Sequence, residues 1–347
     1  MAAVPASGNR PTVESVARHA QVSRQTVSNA LNAPQRVRPD TLSRVLAAID
    51  ELGYRPNSAA RNLRTQSTRL LACRLLPTAT GGVLDRFLHA LCDAARDRGY
   101  DVLSFAAASD DAELDVLEDL LRRTAVDAYV IANTHHVDPR PGWLAGRGAP
   151  FAAFGRPWGE PDPRHSWVDV DGAAGVQAAV DHLVTQGHRR IAFLGWPEGS
   201  GVGDDRFAGW RRAVAAHRLP ERGLVRRAED GMAAAAAATA ALLDAGRPPT
   251  AVVCVSDLMA LGALRALDDR GVRPGREVAV VGFDDSPLAT VVRPGLTSVR
   301  QPLEAVAEKV IEVLLAHLHG VRTEPAQVLL QPALVVRDSS TSPRVKE

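Results

Sequence analysis

The sequence predicts a small all-α head joined to a larger α/β body built on two parallel-sheet subdomains. Three observations predict it. Between residues 13 and 52, apolar residues recur at three- and four-residue spacing with one tight break. From residue 70 onward, short apolar runs alternate with longer helical patterns, the order that builds parallel sheets covered by helices. Charge is also unevenly shared. Residues 1–69 hold 10 Arg against 4 Asp and Glu, a net +6, whereas the other 278 residues hold 31 Lys and Arg against 36 Asp and Glu, a net −5.

In the head, residues 1–10 read as a flexible tail of small residues and Pro. Thr12 is a predicted N-cap. Val13, Val16, Ala17 and Ala20 then form one apolar helix face. Gln21-Val22 breaks the pattern, and Ser23 caps a second helix whose inner face is Val27, Ala30 and Leu31. Two short helices joined so tightly predict a helix-turn-helix. A third helix runs from Pro39, suited to the first helical position, to Leu52, with Gly53 as its left-handed stop. Val45, Leu46, Ile49 and Leu52 are expected to pack it on the first two.

The second helix presents Arg24, Gln25, Ser28 and Asn29 near its amino end. Arg pairs bidentately with guanine, and Gln or Asn with adenine, in the DNA major groove. A solvated face of a small bundle carries the same residue types. The +6 head on a −5 body favours nucleic acid, with the contact confined to the head.

The body offers strands at 70–76, 102–106, 128–132, 151–154, 191–194, 252–255 and 278–281. Helical patterns fall at 84–98, 112–123, 172–186, 206–218, 232–244, 258–269 and 303–319. Ligands on such sheets bind at the carboxyl ends of the strands. A chain of 347 residues with 46% hydrophobic content can bury a large core, which excludes chain-wide disorder. No apolar run reaches the roughly 18 residues of a membrane span. The first ten residues carry no apolar signal core, so a cytoplasmic, nucleoid-associated protein is expected. Three scattered cysteines support neither a disulfide framework nor a zinc site.

Three motifs in the head carry a resemblance. They are Val-Ser-x-x-Thr-Val-Ser-x-x-Leu-Asn at 22–32, Gly-Tyr-x-Pro-Asn at 53–57 and Ala-x-x-Leu at 60–63. In order and spacing they resemble the lactose-repressor (LacI/GalR) family of bacterial transcription regulators. Gln21 departs from the family, which has Gly at a turn that calls for an unusual backbone conformation. The resemblance implies a helix-turn-helix domain at 11–56 and a hinge helix and linker at 57–69. The hinge would order on the minor groove, with Leu63 as an apolar wedge and Ala60 allowing close approach. Such wedges unstack a base step and bend the duplex. Arg18, Arg36, Arg55, Arg61 and Arg64 are the phosphate-contact candidates.

The body extends the resemblance through Gly-His-Arg-Arg-Ile-Ala-Phe-Leu-Gly at 187–195, Asp-Arg-Phe-Ala-Gly-Trp at 205–210, Ser-Asp-Leu-Met-Ala-Leu-Gly-Ala-Leu-Arg-Ala-Leu at 256–267 and Val-Gly-Phe-Asp-Asp at 281–285. It implies a type I periplasmic-binding-protein-like effector and dimerisation domain at 70–340, crossed three times by the chain. One subdomain is expected at 70–167 plus 300–325, the other at 168–299 plus 326–340. Arg206 and Asp284 match the family's ligand-binding Arg and carboxylate, a pair suited to a neutral polyol. Trp167 and Trp196 are expected aromatic platforms, with Arg156, Ser256 and, more remotely, Asp257 and Trp158 nearby. Trp210 reads as packing. At 229–232, where the family often has an aromatic, the chain reads Glu-Asp-Gly-Met.

Other chemistries fit less well. The Gly-rich loop at 195–203 fails both nucleotide fingerprints. His135-His136 and His317-x-His319 lack a third metal ligand at a fitting spacing. No nucleophile elbow is present. No catalytic set, metal or cofactor is therefore expected. The reading is a homodimeric repressor of carbohydrate-utilisation genes, released from a pseudopalindromic double-stranded operator by a mono- or oligosaccharide. A corepressor-dependent regulator that takes a nucleobase or other small metabolite is the alternative. A cytoplasmic sugar-binding protein or a hydrolase ranks lower, because neither needs residues 11–64.

Overall fold

Thr12 and Ser15 cap each other's backbone. Thr12 Oγ1 accepts from the Ser15 amide at 3.3 Å and Ser15 Oγ accepts from the Thr12 amide at 2.8 Å. That reciprocal cap opens α1 (Val13–His19). The computed structural model describes residues 11–55, 67–75, 82–159, 164–321 and 324–341. The chain divides into two units, Met1–Thr68 and Arg69–Glu347.

In the first unit, Gln21 turns the chain with φ +53°, the left-handed conformation that makes Gly the easier choice there. Ser23 then caps α2 (Arg24–Asn32) through the Thr26 amide. A 3₁₀ turn at Pro34–Arg36 leads to α3 (Pro39–Leu52), which stops at Gly53 with φ +61°. Val16, Ala17, Ala20, Val27, Ala30, Val45, Ala48 and Tyr54 form the core. Leu46 is 49% exposed, against expectation. Val45, Ala48, Ile49 and Leu52 share one helical face, and Leu46 sits about 100° round from Val45. Ala48 takes the inner position.

The second unit holds two six-stranded sheets. The first comprises β1 (Leu70–Leu75), β2 (Asp101–Ala106), β3 (Ala128–Ala132), β4 (Phe151–Phe154), β5 (Trp167–Val170) and β11 (Gln327–Leu330), in the order 11-5-4-3-1-2 and parallel throughout. The second comprises β6 (Ile191–Gly195), β7 (Val225–Arg227), β8 (Ala251–Cys254), β9 (Ala279–Asp284), β10 (Thr297–Arg300) and β12 (Ala333–Val335), in the order 12-10-9-8-6-7. Only its β10–β12 pair is antiparallel. Central strands such as β3 and β4 are buried at every position, as helices on both faces require.

On the first sheet, α4 (Val83–Asp97) and α12 (Leu303–Leu318) pack one face through Phe87, Leu91, Val306 and Val310. α5 (Asp110–Arg122) and α6 (Pro139–Gly146) cover the other through Leu117 and Leu144. On the second sheet, α7 (Gly172–Thr185) packs with α8 (Gly201–Ala216), and α9 (Met232–Leu243) with α10 (Asp257–Asp268). The six-alanine run at 233–238 lies in α9. Trp210 is fully buried in this core. The short helix α11 (Leu288–Val291) follows β9. Among the described residues, no helix is long and apolar enough to cross a membrane.

The chain passes between the two subdomains three times, after β5, after β10 and after β11. The expected subdomain limits therefore move. Residues 168–170 belong to the first sheet, because β5 pairs with β4 and β11. β11 also leaves the second subdomain for the first. These strands are only four residues long and carry no distinctive apolar run. α8 starts at Gly201, five residues before the expected 206, because Ser200 caps it through the Gly203 amide.

Candidate functional site

The head places Arg24 and Gln25 exposed on the first turn of α2, with Ser28 and Asn29 half-buried one turn later. Gln25 Nε2 donates to Asn29 Oδ1 at 3.0 Å, so these two amides orient each other. Arg24 pairs with Glu14 at 2.8 Å, and both side chains are well exposed. Such a surface pair contributes about 0–1 kcal/mol and yields readily to a phosphate or a base. Arg18, Arg36 and Arg55 are exposed. Ala60, Arg61, Leu63 and Arg64 lie outside the described residues.

The body gathers its polar groups at the carboxyl ends of the strands. Arg206 lies in the second turn of α8 and is 5% exposed. Its Nη1 donates to the Val255 carbonyl at 2.6 Å, and Nη2 stands 3.6 Å from Asp284 Oδ1. The guanidinium lies 3.6 Å over the Phe283 ring and 5.6 Å from that of Trp196. Its Nε is buried without a partner among the described residues. Burial pulls the Arg206 guanidinium below its ordinary value, against the opposing pull of Asp284.

Asp284 ends β9 with φ +107°, and Asp285 follows at +47°. Gln301, buried on the crossover after β10, donates to Asp284 Oδ1 at 2.8 Å. Burial pushes the Asp284 carboxyl up to about 7, with Arg206 opposing and the Asp257 and Asp230 carboxylates adding. Asp257 accepts from Ser298 Oγ at 2.5 Å and from the Ser286 amide at 2.6 Å, so it holds the turn after Asp284. Burial raises Asp257 to about 6.

Ser256 caps α10 through the Met259 amide and donates to Asp230 Oδ1 at 3.2 Å. The same oxygen accepts the Trp196 indole N–H at 3.0 Å. Trp196 is thus held edge-on by Asp230 and keeps its ring face, not its N–H, for other contacts. Arg156, on the loop after β4, bonds Asp169 at 2.7 Å and reaches Asp205 of α8 at 2.9 Å. It also lies 4.6 Å over Trp158, whose ring packs against Gly201 at the start of α8. A Cβ at Gly201 would strike that indole.

The structure thus brings together Arg206, Asp284, Trp196 and Ser256, with Arg156 bridging the two subdomains. Trp167 does not join them. It opens β5, at the end of the sheet away from the carboxyl termini, and packs against the apolar cluster on one face of the first sheet. The platform expectation for Trp167 is corrected to packing. The sequence reading missed Gln301, Asp230 and Asp205. Gln301 was findable in principle as the residue just beyond a strand end, but its four-residue strand was not recognised.

A second polar cluster sits beyond the carboxyl ends of β2 and β3, beside Arg74 of β1. Ligand-type atoms of Asp110, His135 and Asp138 lie within 4.8 Å of one another. The fold supplies around His135 the carboxylates that spacing alone did not suggest. Yet Arg140 bonds Asp138 at 2.7 Å and Glu113 at 2.9 Å, and Arg74 bonds Glu113 and Asp110. The carboxylates are already matched by guanidinium groups, the chemistry of a structural ion network.

A pair of buried Arg and Asp with a ring face beside them can bind hydroxyls from both sides without net charge. The comparisons with known proteins agree with a regulator built on this frame. The profile of the lacI family of bacterial regulatory proteins matches residues 12–57, and that of a periplasmic binding protein-like domain matches residues 180–340. The HTH-type transcriptional regulator CelR of Thermobifida fusca is 36% identical over 335 residues, 95% of this chain and 98% of that protein. A solved CelR–cellobiose complex is 34% identical with a TM-score of 0.73, covering 95% of this chain and 100% of that one. The lac repressor dimer bound to operator and the anti-inducer ONPF is 26% identical with a TM-score of 0.82, covering 96% and 100%.

Proposed function

The chain belongs to the LacI family of DNA-binding transcription regulators, and from that membership we propose an effector-released repressor of carbohydrate-utilisation genes. The observation that carries the effector half is the buried Arg206–Asp284 pair at the carboxyl ends of the second sheet, with Trp196 beside it. A sugar hydroxyl can bridge from the side a guanidinium and a carboxylate 3.6 Å apart, accepting from the first and donating to the second. The apolar C–H face of a sugar ring suits an indole. The cellobiose held by the related CelR supports a disaccharide or short oligosaccharide as the ligand.

The protein works as a cytoplasmic homodimer on a pseudopalindromic operator, each head reading one half-site. Arg24, Gln25, Ser28 and Asn29 read bases. Arg18, Arg36, Arg55, Arg61 and Arg64 hold phosphates, and Leu63 with Ala60 enters the minor groove between half-sites. Sugar binding changes the balance between two arrangements of the subdomains, with a coupling of about 1–3 kcal/mol. No catalysis is part of this role.

Calorimetric titration of the full chain with cellobiose, maltose, glucose, adenine and guanine tests it, followed by operator release with any hit. Binding and release by a sugar is the expected result. Binding by a base alone, with tighter operator affinity, would replace release by corepression.

A further inference from the structure

Arg86 lies in the first turn of α4, in the first subdomain, next to Phe87 and Leu91 of that subdomain's core. Its Nη1 donates to the Asp284 carbonyl at 3.1 Å and to the Asp285 carbonyl at 3.2 Å. Both acceptors belong to the second subdomain, at the carboxyl end of β9. They are consecutive residues, and both have positive φ without being Gly. Such a turn persists only where its surroundings over-determine it.

The second subdomain supplies most of that constraint. The Asp285 amide donates to Ser298 Oγ at 2.9 Å, and the Ser286 amide to Asp257 at 2.6 Å. The Asp285 carboxylate accepts from Arg300 at 2.6 Å and forms an ion pair with Arg337 at 2.7 Å. These contacts move with the turn. Arg86 does not, because it is fixed to the other subdomain. One nitrogen that serves two successive carbonyls sets the planes of the 284–285 and 285–286 peptides, and the first of these adjoins the Asp284 Cα and so constrains its ψ and the base from which its side chain leaves.

We propose that Arg86 is a positioning residue that aims Asp284 and couples occupancy of the Arg206–Asp284 site to α4. A shift of one subdomain against the other must either break both Arg86 bonds or rotate the turn. Conversely, a ligand that fixes the Asp284 carboxylate fixes the carbonyls that Arg86 holds. The coupling is reciprocal, as any linkage between two states must be. The ligand part of the inference rests on the reading that Asp284 faces the effector. The clamp itself does not.

The test uses the full-length protein with Arg86→Ala and Arg86→Lys. Lys keeps a donor at the end of a long side chain. Amide hydrogen exchange without any sugar reads the clamp at Asp285 and Ser286. Arg86→Ala should speed exchange there by about tenfold, with the 88–97 segment of α4 unchanged and Lys partly restoring protection. Equal rates in Arg86→Ala and the parent overturn the clamp. Titration with cellobiose then reads the coupling. Arg86→Ala should weaken cellobiose by about tenfold and blunt its effect on operator affinity, while operator binding without sugar stays at the parental level. Faster exchange with unchanged cellobiose affinity overturns the coupling. A parent that does not bind cellobiose removes the sugar reading, and hydrogen exchange still decides whether Arg86 holds the turn.

Discussion

Arg206 and Asp284 face each other at 3.6 Å, both largely withdrawn from water, with no direct hydrogen bond between them. At that separation the charges still attract, but hydrogen-bonding capacity on each side is left over. Arg206 keeps a buried Nε without a partner, and Asp284 spends one oxygen on Gln301. This geometry leaves a donor on Arg206 and an acceptor on Asp284 for a hydroxyl that bridges them from the side.

The Asp284 carboxyl, raised by burial to about 7, is partly protonated near neutrality. A raised carboxyl binds more protons in the folded than in the unfolded state between its ordinary value near 4 and about 7. Its contribution to stability therefore falls as pH rises through that window. Ligand binding runs the other way if the sugar recruits the ionised form. Affinity should rise from about pH 6 to about pH 8 and then level off. Asp284→Asn should weaken binding and flatten the profile while leaving operator binding intact. A sloped profile in that variant would assign the titration to another group.

Asp230→Ala removes the acceptor shared by Trp196 and Ser256. The indole then loses the contact that fixes its ring. Sugar affinity should fall by roughly fivefold to tenfold, the scale of one hydrogen bond. The emission spectrum of Trp196 should also shift. Folding should be unaffected, because Asp230 is exposed. Calorimetry and fluorescence on the same samples check both.

Arg24→Ala should relax base preference at one position in each half-site, a loss of about 1–3 kcal/mol in discrimination. Leu63→Ala should weaken the specific operator several-fold and spare non-specific DNA, because only the bent complex uses a wedge. Selection from random duplexes reads the first, and paired binding assays at fixed salt read the second. Equal losses on both kinds of DNA would make Leu63 a linker residue.

Gln21→Gly should stabilise the head by roughly 0.5–1 kcal/mol, because Gly adopts φ +53° without a Cβ penalty. Gln21→Val should cost more than that gain, since a β-branched residue suits this conformation least. Thermal unfolding of the head fragment or the whole chain ranks the three variants.

The head was legible nearly residue by residue, because its signals are local. Thr12, Ser23 and Gly53 act within a turn of where they stand. Leu46 was misplaced because apolar identity was read without its angle around the helix. In the body, long buried runs such as β3 announced themselves, whereas four-residue strands such as β5 and β10 did not. Arg206 and Asp284 were found through motifs at the ends of recognised elements. Arg86 and Gln301 were not, because their partners lie 198 and 17 residues away and only the folded topology joins them. Trp167 shows the converse: a residue type suited to sugar stacking was placed by its strand into packing.

The three passages of the chain between subdomains carry a consequence for how this protein can be rebuilt. Neither lobe of the body is a continuous stretch of sequence, so neither can be cut out, duplicated or traded as a cassette. The boundary between Thr68 and Arg69 is different, since it is crossed once. Recombination at that joint exchanges the DNA address while keeping the chemical input. A change of input must instead arise by substitution inside an undivided body. In this architecture the address can be swapped by shuffling, and the signal must be evolved in place.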